Sequence, residues 1–472
     1  MIDEDLNYDE LNELRSSDDE RLPKLMREWT TVFGEVSREN PYPAILAYFC
    51  LCGQILKDFV RIPYGYTVED TRIHVCWIQT ARSGKTVLND FFSQIIMKTF
   101  EFINATDDKD FDLFDIVEYT DAALIGSTER QPNPERGEEG QPREVDVIIP
   151  GALEGSGIAL FDEFESSGVF KKHSHKENII TYFQRLMNTL TTDGYLIKKK
   201  LKSGPVITCN CQRSMWATTY PPEHLTDVIA EKGVLQRKFL YIRDVPQEIL
   251  DGMRRELIDS IGETRERAQP TNRFSKAFLN IYNTVKERHE DGVAPENMVT
   301  FADGVKPLIN LEYDNMIGYL NKVPDNVRKI VSLFETNSLL YITKFAVLCA
   351  ITETNSRQED EKWIVQPRNV RQAAWVVRQG YMSLVAWLLQ ALRTRHSSPS
   401  DTIVINDYVN AYHKCDKDDD GWVNKSLLRQ MCENAYDIPQ AKFYRNWPKV
   451  KHAFEERKKG KTAMIKAKGD DE

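Results

Sequence analysis

Two adjoining stretches decide the fold: Arg72-Ile-His-Val-Cys-Trp-Ile78, and directly after it Gln79-Thr-Ala-Arg-Ser-Gly84-Lys85-Thr86. The first has the apolar, β-branched character of a buried strand, and from Val87 the pattern turns helical. A Gly-Lys-Thr tripeptide between a strand and a helix carries phosphate chemistry. Gly84 lets backbone N–H groups close on phosphate oxygens, Lys85 reaches the β/γ oxygens, and Thr86 holds Mg²⁺. The expected cradle is Gln79, Thr80, Ala81, Arg82, Ser83, Gly84, Lys85, Thr86 and Val87. Gln79 stands where the usual GxxxxGK[ST] motif has its first glycine, and a GKT alone also fits a chance turn.

The sequence further on adds weight. Ile158-Ala-Leu-Phe-Asp162-Glu163 is a strand ending in two carboxylates. Asp162 would hold Mg²⁺ directly or through water, and Glu163 would polarise an attacking water, because in-line transfer needs a positioned base. The bland reading, a strand capped by a solvated acidic turn, loses ground after a GKT in the same block. Another strand, Val206-Ile-Thr-Cys-Asn210, ends in a polar residue, and Gly233-Val-Leu-Gln-Arg237 precedes the apolar run Phe239–Ile242. Apolar runs separated by helical segments read as buried parallel strands of an α/β sheet.

The chain has 472 residues, 41% of them hydrophobic and 28% charged, which is globular material for two to four domains. The sequence divides into a helical N-terminal region (1–65), an α/β ATPase core (66–245), a helical region (246–395) and a C-terminal domain (400–472). Glu129 to Glu144 is acidic and reads as a surface loop. No apolar run is long enough for a membrane, the acidic N-terminus is no secretory signal, and the expected location is cytoplasmic. The eight cysteines form no CxxC pair and read as reduced core residues. A net charge of −10 argues against a protein coated in nucleic acid, although a ring can hide basic residues inside, and charge alone leaves the partner open.

On these motifs, from about Arg72 to Leu392, the chain resembles AAA+ helicases related to the minichromosome maintenance proteins and to phage-encoded replicative helicases. The order is that family's: Asp162-Glu163, a helix (Asn178–Leu190), a basic strand (Thr192–Lys202), then a sensor-1 strand. The resemblance implies an AAA+ P-loop core with a helical lid, ATP and Mg²⁺, and a ring, a hexamer by analogy, acting on single-stranded DNA in its pore. It implies sensor 1 at Asn210, an arginine finger at Arg237 and sensor 2 at Arg368, with Arg371 as the alternate. Replication proteins of a phage or mobile element are the implied partners. The chain departs from the family at Gln79 and in an N-terminal region without the zinc-binding cysteines of the family's collar.

Tyr195-Leu-Ile-Lys198-Lys199-Lys200-Leu-Lys202 supplies the candidate DNA contact. At strand period Lys198, Lys200 and Lys202 share one face, and Lys199 shares the other with Ile197 and Leu201. Such a ridge suits phosphates in a pore; an edge strand guarded against aggregation is the alternative, and the position, which matches the pore hairpin of the helicases the chain resembles, favours the pore. Lys171, Lys172 and Lys176 form a second basic cluster that a solvated loop explains as well.

Thr402–His413, Asn424–Asn434 and Pro439–Arg457 read as three helices, with Gly460–Lys466 as a hairpin, the order of a winged helix. The third carries Phe443, Tyr444 and Trp447 among Lys442, Arg445, Lys449, Lys451 and Arg457, which fits a nucleic-acid groove or a packing module. Asp416 to Val423 mimics a calcium loop, but Leu427 replaces the bidentate glutamate, so it reads as a turn. Two other functions fit the motifs: a loader or initiator that remodels DNA without processive unwinding, and a protein remodeller. A remodeller would usually carry an aromatic–hydrophobic pore tripeptide, where this chain offers lysines.

Overall fold

Short apolar runs pair edge to edge in this chain and build a six-stranded, mostly parallel sheet. The structure, a computed structural model, describes residues 22–37, 41–80, 83–116, 119–132, 144–167, 169, 177–191, 193–200, 206–221, 225, 233–243, 247–259, 261–262, 267–353, 362–395, 408–418, 420–436, 438, 440–459 and 462–468. Two helices come first, α1 (Lys24–Ser37) and α2 (Pro41–Leu56), then a hairpin of β1 (Arg61–Tyr64) and β2 (Thr67–Asp70). Strand β3 (Val75–Ile78) feeds helix α3 (Lys85–Asp107), and β4 (Phe111–Asp115) follows. The short helix α4 (Asp121–Ile125) leads to a second hairpin, β5 (Gly126–Pro132) with β6 (Glu144–Pro150). Then come β7 (Gly155–Phe161), α5 (Glu177–Leu186), β8 (Leu196–Lys200), β9 (Val206–Thr219) and β10 (Phe239–Ile242).

Across the sheet the order is β10-β3-β9-β7-β4, every neighbour parallel, with β8 antiparallel on the first residues of β9. A parallel sheet must be covered on both faces. Helix α3 covers one: Leu88, Phe91, Phe92, Ile95, Ile96, Thr99, Phe100 and Ile103 are buried at helical spacing, and Phe92 meets Trp216 of β9 edge-on at 5.1 Å. Trp29 of α1 locks into the same layer, 4.4 Å from Phe33 and 5.2 Å from Phe274. The other face carries Phe161, whose ring meets Phe183 of α5 at 5.3 Å. Gly157 is required where β7 meets β4, because a Cβ there would lie 1.9 Å from the Asp112 carbonyl oxygen and its φ is +133°.

Helices α6 (Gln247–Asp259), α7 (Ala268–Glu290), α8 (Val305–Gly318), α9 (Asp325–Val331), α10 (Glu335–Thr352) and α11 (Pro367–Arg395) follow, with β11 (Val299–Phe301) and β12 (Trp363–Val365) pairing in parallel. Residues Met1–Trp387 form one compact unit. The helical stretch Val327–Thr352 has the length and composition of a membrane span, and its most apolar 18 residues are mostly buried inside the structure. All eight cysteines are free and buried.

The second unit, Leu388–Glu472, holds helical residues 408–413, α12 (Lys425–Tyr436), α13 (Gln440–Val450) and a sheet of β13 (Val423–Asn424), β14 (Phe454–Lys459) and β15 (Thr462–Ala467). Tyr408, Phe443, Trp447 and Phe454 stack at its centre. Two expectations change here. The third helix stops at Val450, so Arg457 and Lys458 lie on a strand. Phe443 and Trp447 are core residues, and of that aromatic trio only Tyr444 is exposed. The calcium-like loop is a turn: Asp418 Oδ1 accepts from the backbone N–H of Asp420 and Trp422, and Arg457 lies 3.3 Å from Asp418 Oδ2. In the first unit, Glu129–Pro132 is strand rather than loop, because it pairs with β6.

One buried cation ties these elements together. Arg72, 1% exposed, donates to Asp70 from Nε (3.1 Å) and a terminal nitrogen (3.0 Å). Its remaining N–H groups reach the carbonyls of Leu186 (3.1 Å) and Asn188 (2.5 Å) after α5, and of Cys211 and Arg213 in β9. Burial alone would raise the Asp70 pKa, but the charges of Arg72 and Lys344 and the hydrogen bonds from Arg72 and Leu190 hold it well below the usual carboxylate range. Breaking a buried pair by removing one partner costs about 3–5 kcal/mol. Arg72→Met is expected to lose that much in urea unfolding at pH 7. The deficit should narrow on acidification, as the stranded Asp70 takes up a proton in the variant while it stays ionised in the parent. An Arg72→Met protein as stable as the parent at neutral pH would remove the pair from this role.

Candidate functional site

Parallel strands present their C-terminal ends together, and here β3, β9 and β7 bring Gln79, Thr218–Tyr220 and Asp162–Glu165 to one edge of the sheet. Gln79 prolongs β3, its N–H bonding the Thr219 carbonyl at 3.1 Å, while its side-chain oxygen accepts from Trp77 Nε1 at 2.7 Å. A glycine has no such anchor, so the substitution fixes the entry to the loop instead of loosening it. Gly84 adopts φ +81° and caps the 23-residue helix α3, leaving that helix's first N–H groups facing the loop.

Lys85 is 8% exposed. Its ammonium donates to the carbonyls of Gln79 (2.5 Å) and Thr80 (2.8 Å) and to Ser83 Oγ (3.3 Å), and lies 4.5 Å from the centre of the Tyr220 ring. Burial pulls its pKa down to about 8, against the opposing pull of Asp162 and Glu165. Thr86 and Val87 are exposed at the head of α3. Ala81 and Arg82 lie outside the described residues.

Four carboxylates end the neighbouring strands β4 and β7, and the charges of two of them, Asp162 and Glu165, act on Lys85. Asp115 ends β4, and its pKa is raised by burial and by the Asp162 charge. Tyr119 is pushed up by burial and then by the charges of Glu165, Asp115, Asp162 and Glu163. Glu163 holds φ +53°, a left-handed conformation that a glutamate rarely adopts and that marks functional turns. Among the described residues no three His, Cys, Asp or Glu side chains converge closely enough to hold a metal by themselves. A magnesium ion would need fewer protein ligands, since it takes one or two carboxylates and fills its octahedron with waters and phosphate oxygens. Asp162 and Thr86 fit as its protein ligands: both are exposed, and both sit at the same edge of the sheet.

A polar relay missed by sequence reading sets the Asp162 carboxylate. Trp216 Nε1 donates to Asn89 Oδ1 (2.9 Å), Asn89 Nδ2 donates to Thr218 Oγ1 (3.1 Å), and Thr218 donates to Asp162 Oδ1 (2.6 Å). Thr219 donates to Glu165. The signal was in the sequence, because the strand pattern runs unbroken from Val206 to Thr219.

That length corrects the assignment of Asn210. The residue pairs with Leu196 of β8, and its N–H bonds Glu154 Oε2 at 2.7 Å, before β7 begins. Eight residues of strand, roughly 26 Å, separate it from Thr218, so the structure does not bring Asn210 to Lys85. The strand-end polar position belongs to Thr218 and Thr219.

Arg237 stands just before β10, at the N-terminal ends of the parallel strands. It is exposed, and its guanidinium donates to the Gln184 carbonyl (3.1 Å) and Asn188 Oδ1 (2.9 Å). It does not reach the Lys85 edge of its own chain. Arg368 is half exposed and paired with Glu353 at 2.8 Å. It borders a cleft of 580 Å³ that α1 and α7 also line, away from the phosphate loop, and Arg371 is exposed one turn along.

Strand β8 alternates as its sequence requires: Lys198 and Lys200 are exposed, Ile197 is buried, and Lys199 turns inward to Asp121 at 2.8 Å. Lys202, Lys171, Lys172 and Lys176 lie outside the described residues. Compared with known proteins, the chain matches no family model and no curated protein.

Thr218→Val removes only the hydroxyl that orients Asp162. If this edge hydrolyses nucleotide, as proposed below, the rate should fall about 10- to 100-fold with the fold intact, and more Mg²⁺ should be needed for half-maximal rate. Asn210→Ala should leave the rate near that of the parent. The reverse ranking, in a steady-state phosphate-release assay, would return the role to Asn210.

Proposed function

We propose that this chain is an ATP hydrolase of the AAA+ type that assembles as a ring, a hexamer, and drives DNA through its centre during replication. The observation that carries the reading is that Lys85 and the turn Asp162–Glu165, which includes Glu163, lie at one edge of a parallel sheet, beside the Gly84-capped start of α3. Lys85 would exchange its carbonyl partners for β/γ-phosphate oxygens, whose charge supplies what a buried ammonium lacks. Thr86 and Asp162 would hold Mg²⁺, which neutralises phosphate charge when bound. Glu163, exposed and held in its left-handed turn, would orient and polarise the attacking water.

Arg237 faces away from its own Lys85 edge, so as a finger it would act on a neighbour's nucleotide, and a ring supplies that neighbour. Arg368 would act in the same sense from the helices after the sheet, here proposed as a lid. Residues 408–468, helices followed by a β-hairpin, fit a winged helix. The exposed lysines of β8 favour nucleic acid over polypeptide as the transported chain.

Lys85→Ala should abolish hydrolysis and weaken nucleotide binding, whereas Glu163→Gln should retain binding and stop turnover. Mixing Glu163→Gln with Arg237→Ala protein should restore partial hydrolysis, since some interfaces recover both intact groups. Mixed rings that never recover activity at any ratio would remove Arg237 from a role in trans.

Changing Lys198, Lys200 and Lys202 together to alanine should spare basal hydrolysis and collapse both its stimulation by DNA and the displacement of a labelled strand from a forked duplex. The slope of log affinity against log salt should flatten by about 0.7 per lost contact on single strands. Lys199→Ala, whose ammonium already pairs with Asp121, should do far less. An unchanged salt slope in the triple variant would place the DNA contact elsewhere.

A further inference from the structure

Lys238 lies between Arg237 and the first residue of β10, 1% exposed, and among the described residues its ammonium has no hydrogen-bond acceptor. A buried cation ordinarily carries a carboxylate or a set of carbonyls with it. This one faces an aromatic ring instead: Nζ lies 3.9 Å from the centre of Phe164 and 5.6 Å from that of Phe183. Such a contact gains strength when water is excluded. Burial pulls the lysine down to about 8, with only a partial offset from Cys76 on β3. The two rings are packed on each other at 5.3 Å, and Phe164 also rests on Phe161 of β7 at 5.7 Å.

The neighbours along the chain give this contact its meaning. Phe164 directly follows Glu163 and opens the turn Phe164–Ser167 that holds Glu165. Phe183 belongs to α5, the helix whose end also receives the Arg237 guanidinium through Gln184 and Asn188. We infer that Lys238 is a positioning residue that joins the Glu163 turn to the Arg237 segment through Phe164, so that groups serving two different nucleotide sites of a ring shift as one block. The inference rests on the proposed roles of Glu163 and Arg237. A displacement of Glu163 carries Phe164 with it, Phe164 pulls on the buried ammonium, and the backbone of Lys238 is the backbone next to Arg237. If Lys238 merely filled the core, an uncharged side chain of the same length would serve better, since it has no charge to desolvate.

The test compares the full chain with its Lys238→Met, Lys238→Arg, Phe164→Leu, Lys238→Met/Phe164→Leu and Arg237→Ala variants, measuring ATP hydrolysis against ATP concentration and binding of a fluorescent ATP analogue. Lys238→Met and Phe164→Leu should bind the analogue within about threefold of the parent, keep KM, and lose kcat by about 100-fold, as Arg237→Ala does. Lys238→Arg keeps a cation over the ring and should recover most of the rate. The double variant should be no slower than either single one, because each change breaks the same contact. Parental kcat in Lys238→Met and Phe164→Leu, alongside a slow Arg237→Ala, would overturn the inference and leave the reading of Arg237 standing. Loss of analogue binding in both variants would make the pair structural and also overturn it. A parent that does not hydrolyse ATP, or that ignores Arg237→Ala, would overturn the underlying reading, and the inference with it.

Discussion

The Arg72 guanidinium is the point on which the first unit is assembled. A planar group with five N–H donors can be buried only where every donor finds an acceptor. Here the acceptors come from a carboxylate, the carbonyls that end α5 and two carbonyls of β9. The last carbonyls of a helix have no partner within it, and at the end of α5 Arg72 takes that of Leu186 while Arg237 takes that of Gln184. Asp70 completes the node by accepting the Leu190 N–H at 2.9 Å, which sets the path of the chain toward β8. Lys344 of α10 donates to the Arg72 carbonyl at 3.3 Å, so a helix far along the sequence registers on the same point. Position of sheet, helix and hairpin thus follows from the geometry of one side chain.

The residues that sequence reading placed well are those whose type is dictated by backbone or by charge. Gly84 is needed at φ +81°, and Lys85, Asp162 and Glu163 keep their order whatever the loops do. The alternation at Ile197, Lys198, Lys199 and Lys200 also held, because a strand with one buried face has a strict period of two. Phe239–Ile242 was read to the residue, since its four apolar side chains are all buried between neighbours.

What was missed is partnership between distant segments. Asn210 looked like a strand end because a polar residue followed an apolar run. It is instead a mid-strand residue whose neighbours are Leu196 and Glu154, and nothing in the local pattern names them. Thr218 is unremarkable in sequence, and its role depends on Asp162 from β7 and Asn89 from α3. Glu129 to Glu144 read as loop because the segment is acidic and rich in Pro and Gly, yet Glu129–Pro132 is strand, since a two-stranded hairpin is closed by its ladder of backbone bonds and tolerates polar side chains. Phe443 and Trp447 misled for the opposite reason. Aromatic residues beside lysines resemble a nucleic-acid surface, but a small unit with few apolar residues draws its aromatics inward.

Strand β9 is where the two proposed activities become one structural question. Its 14 residues run the full depth of the sheet, about 45 Å of extended chain. The first five pair with the lysine-bearing β8, and the last two hold Asp162 and Glu165 through hydroxyls. Between them the strand is hydrogen-bonded to β7 on one side and β3 on the other, and Arg72 and Arg213 clamp its middle. A strand so held cannot slide one residue, because every side chain would change face. It moves, if at all, as a rigid piece with its neighbours. A rearrangement at the carboxylate edge therefore reaches the lysine hairpin by tilting the strand, without remaking its pairing. The short turn Phe164–Ser167 and helix α5 flank this strand on one face and join the same two ends. Two connections, one through the sheet and one through the packed aromatic rings, constrain the β8–β9 pair more tightly than either alone, and a motor of the proposed kind would need such a constraint to turn a small change at the Lys85 edge into a displacement at the basic one.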